Sequence, residues 1–225
     1  MGDATATQQV KSSMIVEVDA KSLEDRPQIW LSWIPQSEEI RNEFRSLLTD
    51  AERARMFRYT QKMDQLRFLT GRAWLRQLLS LRWHMEPLQI KLQTTARGKL
   101  FVDADREQLP TVHFNVAHSG ELVLIAFHSA VEVGVDIEWL DQDMNWSEVA
   151  RNVFTPEDYR QWTTMPSEQK SRDWLRRWTL QEAVEKAIGC GMATWPNPSG
   201  TTDLRRYELD LPEGYVGAVA CVDNR

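Results

Sequence analysis

The sequence predicts an α+β protein, and three observations carry that assignment. Short alternating or apolar runs suited to strands are spread along the chain, two long segments carry the helical spacing of apolar residues, and the helices are grouped instead of alternating strictly with strands. At 225 residues the chain can form one compact domain or two small halves sharing a core. Apolar residues at 42% and charged residues at 27% are ordinary globular proportions, which excludes collagen, coiled coil and wholesale disorder. A chain of this size buries roughly 70% of its unfolded surface, so any metal serves chemistry and is not needed to support a thin core.

In chain order, Met1 to Ser13 read as a loose polar tail, and Met14–Val18 and Ile29–Ile34 as strands, the second stopped by Pro35. Asp50 suits the N-cap of a helix through Arg58. A longer helix is expected over Lys62–Trp83, with Leu66, Leu69, Ala73, Leu78 and Leu79 inward and its basic residues mostly on the other face. Strands are predicted at Leu88–Leu92, Lys99–Val102 and Val112–Val116, followed by a hairpin of Leu122–Phe127 and Val131–Ile137 turning at His128–Ala130, which together make a meander. Thr155-Pro156-Glu157-Asp158 is a helix start, with Thr as N-cap, Pro in the first turn and acids beside the helix dipole. A further helix over Ser171–Ile188 ends at Gly189 and Gly191. After the Pro196–Gly200 loop, strands near Leu204–Leu209 and Val216–Val222 complete the chain.

The longest apolar run, Leu122–Phe127, is far short of the roughly 18 residues of a membrane span, and the first residues lack the apolar stretch of a signal peptide. Two cysteines, Cys190 and Cys221, are too few for a disulfide framework or a zinc site, so a cytoplasmic setting is expected. The ten tryptophans either fill core or stack on a flat ligand. A net charge of −6 argues against nucleic acid as partner, but it conceals an asymmetry. Arg53–Arg82 carries eight basic residues against the single acid Asp64, whereas Asp103–Asp158 carries twelve acids against Arg106 and Arg151. The basic stretch suits an anionic ligand or an acidic protein partner, or else is a solvated helix face.

Three segments could carry chemistry. In Gly134-Val135-Asp136-Ile137-Glu138 the period of a strand puts Asp136 and Glu138 on one face, where two carboxylates repel unless solvated or bridged by a hard divalent cation. In Trp178-Thr179-Leu180-Gln181-Glu182-Ala183-Val184-Glu185-Lys186, helical spacing aligns Trp178, Glu182 and Lys186 on one stripe: a surface ion pair, or a third carboxylate beside a cation. In Phe114–Gly120 a strand runs out into a polar turn where His118 could hold a phosphate oxygen or move a proton. No glycine-rich phosphate loop, G-x-S-x-G elbow or H-E-x-x-H segment is present, so P-loop, hydrolase and zincin readings fail for want of residues.

In this order the three segments resemble the surfactin-type 4′-phosphopantetheinyl transferases, whose sequences show F-N-x-[SA]-H-S, then G-[VIC]-D-I-E, then W-[ST]-x-K-E-[AS]-x-x-K-x-x-G. Phe114–Ser119, Gly134–Glu138 and Trp178–Gly189 stand at those places, and weaker likeness runs upstream through Gly98-Lys99 and Arg53–Arg76. The resemblance implies a monomer of two similar α/β halves, residues 14–130 and 131–225, related by a pseudo-twofold with a coenzyme A cleft between them. It implies Mg²⁺-dependent transfer of the phosphopantetheine arm of coenzyme A to a serine of an apo acyl or peptidyl carrier protein, releasing adenosine 3′,5′-bisphosphate. Carried over by position, Asp136, Glu138 and Glu182 would hold the metal, and His118 and Lys186 would meet phosphate. Glu182 would also serve as base for the serine, and Arg53, Arg55 and Lys99 would meet the 3′-phosphate. Two departures stand out: Gln181 occupies the family's lysine position, implying slower turnover, and Ala117 replaces a frequent serine. Gln181 also motivates a rival, a degenerate module that binds coenzyme A or carrier without transfer; a second rival is an unrelated Mg²⁺ phosphotransfer enzyme in which the D-x-E match is coincidence.

Overall fold

A computed structural model describes residues 16–17, 26–140, 148, 150–151, 154–189 and 203–223. Strands β1 (Val16–Glu17) and β2 (Gln28–Trp33) lead into helices α1 (Glu38–Ser46), α2 (Asp50–Met56) and α3 (Lys62–Trp83). A 3-10 turn at Pro87–Gln89 precedes β3 (Gln93–Thr94), β4 (Leu100–Phe101), α4 (Ala104–Glu107), β5 (His113–Ser119), β6 (Leu122–His128) and β7 (Glu132–Trp139). Helices α5 (Pro156–Thr163) and α6 (Ser167–Ile188) and strands β8 (Asp203–Glu208) and β9 (Tyr215–Asp223) follow. The content is α+β as expected. Residues 1–15, Cys190, Gly191 and the Pro196–Gly200 segment lie outside the described residues.

Two antiparallel sheets, ordered β1-β2-β6-β5 and β7-β9-β8, form the frame, with β3-β4 as a separate two-stranded hairpin. Helix α3 lies on the first sheet, where Leu69, Leu75 and Leu79 meet Val123, Ile125 and Phe127. Helix α6 covers the second, where Ala183, Val184 and Ala187 meet Ala218, Ala220 and Val222. The opposite faces of the sheets meet each other: Leu31, Leu122 and Leu124 pack with Val133, Val135, Ile137 and Val219. The uninterrupted apolar run of β6 follows from this layering, since one face meets α3 and the other the second sheet, and every residue of the strand is buried. Each buried Leu, Ile or Phe contributes about 1.5–3 kcal/mol relative to exposure.

The structure corrects several boundaries and one pairing. The expected hairpin of Leu122–Phe127 with Val131–Ile137 does not form. His128 Nδ1 accepts from the backbone N–H groups of Ala130 (3.0 Å) and Val131 (3.1 Å), the chain turns out of the first sheet, and β7 pairs with β9 from Glu132↔Val222 to Trp139↔Tyr215. Both strands have the alternation a hairpin needs, and nothing local reveals the distant partner. The predicted strand at Leu88–Leu92 does not form: Leu88 and Gln89 belong to the 3-10 turn, and Ile90 is buried with its carbonyl accepting from Arg76 Nη1 at 3.0 Å instead of joining a ladder. Helix α2 is capped by Thr49 in place of Asp50: Glu52 N–H donates to Thr49 Oγ1 and the Glu52 carboxylate accepts from Thr49 N–H, a reciprocal box. Helix α6 begins a turn before Ser171, after Pro166, and α1 was not anticipated.

Two arginines of α3 also depart from expectation by lying inside. Arg72 and Arg76 are 8% and 2% exposed, and both pair with Glu52 of α2. Arg76 further donates to the Pro87 carbonyl at 2.6 Å, so one buried guanidinium fastens α2, α3 and the following turn.

Candidate active site

Strand β7 carries Gly134, Asp136 and Glu138 on the face turned to α6, while Val133, Val135 and Ile137 enter the inter-sheet core. Gly134 is there for lack of a side chain, since a Cβ would stand 2.1 Å from the Ala183 carbonyl and 2.3 Å from the Ala187 nitrogen. The close approach of helix to strand brings Lys186 Nζ within 2.5 Å of Asp136 Oδ1 and 4.0 Å of Glu182 Oε2. The i, i+4 stripe of α6 thus faces the paired acids of β7.

Strand β5 abuts β7 through side chains. Asn115 Oδ1 accepts from Val135 N–H at 3.0 Å, and Ser119 Oγ accepts from Trp139 N–H at 3.0 Å while donating to Glu138 Oε2 at 2.9 Å. Asn115 and Ser119 lie on one face of β5, and His118 and Phe114 on the other, toward α3. The Phe-Asn-Val-Ala-His-Ser segment is therefore a joint: alternate residues fasten the acid-bearing strand and face the α3 side.

Two adjoining pockets open along this seam, sharing Gly98 and Val116. One, of about 230 Å³, is basic, with Arg55, Arg67, Arg72 and His118 in its walls. The guanidinium carbons of Arg55 and Arg72 lie 5.6 and 5.3 Å from the Phe68 ring centroid. The other, of about 380 Å³, is lined by Arg97, Lys99, Asn115, Glu182, Glu185 and Lys186 among others.

Electrostatics at the seam follow from burial. Asp136 is 4% exposed; loss of water pushes its pKa up to about 7 against the pull of Lys186, with Glu138 and Glu182 adding to the rise. Burial also raises Glu138, opposed by its hydrogen bond from Ser119 and by Lys186, and Glu182 adds to the rise. His118 keeps more than a third of its surface in water, yet the protein packed around it, then Arg67 and Lys186, hold its pKa below the ordinary histidine value. Asp136 Oδ2 is buried with no hydrogen-bond partner among the described residues. No three His, Cys, Asp or Glu side chains among the described residues are arranged as a metal cluster, and the ammonium of Lys186 lies beside Asp136.

The expected site residues are distributed unequally. Asp136, Glu138, Glu182, Lys186 and His118 converge on the seam, and Arg55 lines the basic pocket. Arg53 is not in that group: it donates to the carbonyls of Arg45 (3.1 Å) and Leu48 at the end of α1 and to Asp50. Lys99 lines the second pocket, but its ammonium donates to Glu132 Oε2 (2.6 Å) and to the Ala187 carbonyl (2.9 Å). Arg67 and Arg72, counted in the sequence only within the basic stretch, are pocket residues. Gln181 is buried and donates to Glu185 Oε1 at 3.1 Å.

An α+β frame with carboxylates, a lysine and a histidine gathered beside an arginine-lined pocket has the charge pattern that suits a polyanionic ligand. Residues 31–130 match the family described as "4′-phosphopantetheinyl transferase, N-terminal", and residues 132–215 match the "4′-phosphopantetheinyl transferase superfamily". The chain is 32% identical over 171 residues to the 4′-phosphopantetheinyl transferase HetI of Nostoc sp., covering 76% of this chain and 72% of that protein. It is 27% identical over 186 residues to the 4′-phosphopantetheinyl transferase Sfp of Bacillus subtilis, covering 80% and 79% respectively. With the human L-aminoadipate-semialdehyde dehydrogenase-phosphopantetheinyl transferase it shares 26% identity over 187 residues, 80% of this chain and 58% of that one. The chain belongs to the 4′-phosphopantetheinyl transferase superfamily, and the resemblance carried by its three motifs holds.

Proposed function

We propose that this protein transfers the 4′-phosphopantetheine arm of coenzyme A to a serine hydroxyl of an apo acyl or peptidyl carrier protein, with Mg²⁺, and releases adenosine 3′,5′-bisphosphate. The observation that carries this reading is the meeting of Asp136, Glu138, Glu182, Lys186 and His118 at one seam, next to a pocket walled by Arg55, Arg67 and Arg72. The arginines suit the 3′-phosphate, and Lys186 and His118 suit the pyrophosphate. Asp136, Glu138 and Glu182 suit a hard divalent cation, and the unpartnered buried oxygen of Asp136 is the kind of atom such an ion satisfies. When bound, Mg²⁺ supplies Lewis acidity at a phosphoryl oxygen. Glu182, less buried than Asp136, is the base proposed for the serine proton, with Lys186 holding charge on the phosphate.

The proposal extends to architecture and setting: two similar halves, 14–130 and 131–225, each a sheet backed by a 22-residue helix, related by a pseudo-twofold, with coenzyme A in the cleft between them. The protein acts as a cytoplasmic monomer on coenzyme A and carrier, without nucleic acid or membrane. No helix among the described residues is long and apolar enough to cross a membrane.

The test is to incubate the full chain with coenzyme A, Mg²⁺ and an apo carrier protein and weigh the carrier. Gain of the phosphopantetheine mass, lost in Asp136→Ala and on chelation of Mg²⁺, is the expected result. An unmodified carrier with coenzyme A still bound would establish the degenerate module that Gln181 motivates, and absence of both would remove the reading.

A further inference from the structure

We propose that Glu185 is a specificity-determining residue of the cleft, a buried acceptor for the exocyclic amine of the ligand's nucleobase. The inference rests on the reading that a coenzyme A nucleotide occupies the cleft, and it gives a role to a position that the third motif leaves unspecified. Glu185 is 2% exposed, lines the larger pocket, and receives one hydrogen bond, from Gln181 Nε2 to Oε1 at 3.1 Å. Its other oxygen, Oε2, has no partner among the described residues. A buried carboxylate oxygen without a donor is a costly state, and it is relieved when a ligand brings the donor.

The chemistry of the ligand selects which donor. Phosphates occupy both sides of the nucleoside in coenzyme A, the 3′-phosphate on one and the 5′-pyrophosphate on the other. The structure offers two cationic regions, Arg55, Arg67 and Arg72 in one pocket and Arg97, Lys99 and Lys186 in the other, and the pockets join at Gly98 and Val116. A Cβ placed on Gly98 would meet nothing within 4 Å, so the backbone is open at this shared wall, and the proposal seats the nucleoside there between the two phosphate regions. The Glu185 carboxylate, in the wall of the larger pocket, repels phosphate and carbonyl oxygens and attracts N–H groups. Asn115, on the same pocket, has its Oδ1 taken by Val135 N–H, which leaves its amide nitrogen as the donor toward a ring nitrogen. A carboxylate acceptor and an amide donor match the amine edge of adenine and oppose the oxo edge of hypoxanthine.

The experiment titrates the full chain calorimetrically with adenosine 3′,5′-bisphosphate and with inosine 3′,5′-bisphosphate, which differ by amine against carbonyl. The wild type is expected to prefer the adenosine nucleotide by about tenfold or more. In Glu185→Gln the carboxamide can donate to the carbonyl, so the preference shrinks or inverts; in Glu185→Leu it disappears without inverting. Equal affinity of the wild type for the two nucleotides, or a preference unchanged in Glu185→Gln, overturns the proposal. If carrier modification by coenzyme A persists in that case, only this inference fails; binding of neither nucleotide together with an unmodified carrier and no coenzyme A binding removes both it and the functional reading.

Discussion

Arg53 and Arg55 stand two positions apart and have opposite surroundings. Arg53 caps the carbonyls that end α1, whereas Arg55 lies over Phe68 in the wall of the basic pocket. Arg55→Ala is therefore expected to raise the Michaelis constant for coenzyme A several-fold while leaving thermal stability unchanged. Arg53→Ala should lower stability by about 1 kcal/mol without moving that constant. Steady-state kinetics beside a urea titration separates them, and the reverse pattern would reassign the two side chains. Gly134 is constrained more tightly still. Its missing Cβ is what lets α6 approach β7, so Gly134→Ala should cost about 3 kcal/mol or more and lower the melting temperature by roughly 10 °C. A variant melting within a degree or two of wild type would show that α6 can shift away.

At the scale of elements, α3 does two jobs with one helix. Its Leu69, Leu75 and Leu79 seal the first sheet, and its Arg67 and Arg72 furnish the basic pocket. Arg72 and Arg76 are buried with Glu52 of α2 as their shared counter-charge, held at its own station by the capping box with Thr49. Desolvation works against the Glu52 carboxylate, but the hydrogen bonds from Arg76 and Thr49 prevail and its pKa stays lowered. Removing it would leave two buried cations unpaired, so Glu52→Ala should destabilise by about 3–5 kcal/mol in urea unfolding. A loss below about 1 kcal/mol would mean that the arginines find other partners.

Across the whole molecule, Glu132 is a junction of three segments. It opens β7 and receives Lys99 from the β3–β4 connection at 2.6 Å and His113 from β5 at 3.2 Å, while Lys99 continues to the Ala187 carbonyl of α6. Burial would raise the Glu132 pKa, yet the hydrogen bonds from His113 and Lys99 outweigh it and bring it down from the ordinary 4.5 to about 2. Because the folded value lies below the unfolded one, the stability Glu132 contributes is complete above about pH 4.5 and is lost as pH falls toward 2. Glu132→Gln should accordingly be less stable than wild type at pH 7, and the gap between their urea midpoints should narrow from pH 5 to pH 3. A constant gap over that interval would show that the carboxylate charge does not hold the joint.

Much of this was legible in the amino-acid order, and the parts that were not share a cause. Local rules suffice for the 22 residues of α3, for Thr155 and Pro156 at the start of α5, for Gly189 ending α6 in a left-handed conformation, and for the inward and outward faces of β7. Each depends on a few neighbouring residues and a fixed period, and the spacing of the three motifs was enough to point to the family. The partner of β7, the inward turn of Arg72, the diversion of Arg53 and Lys99 and the unpartnered oxygen of Glu185 depend on groups far away in the chain. Strand alternation states which face is apolar but not which strand will cover it, and an arginine has the same local appearance whether it meets water or Glu52. Only the packed structure sets those distances, and with them which charges face the cleft and which hold the protein together.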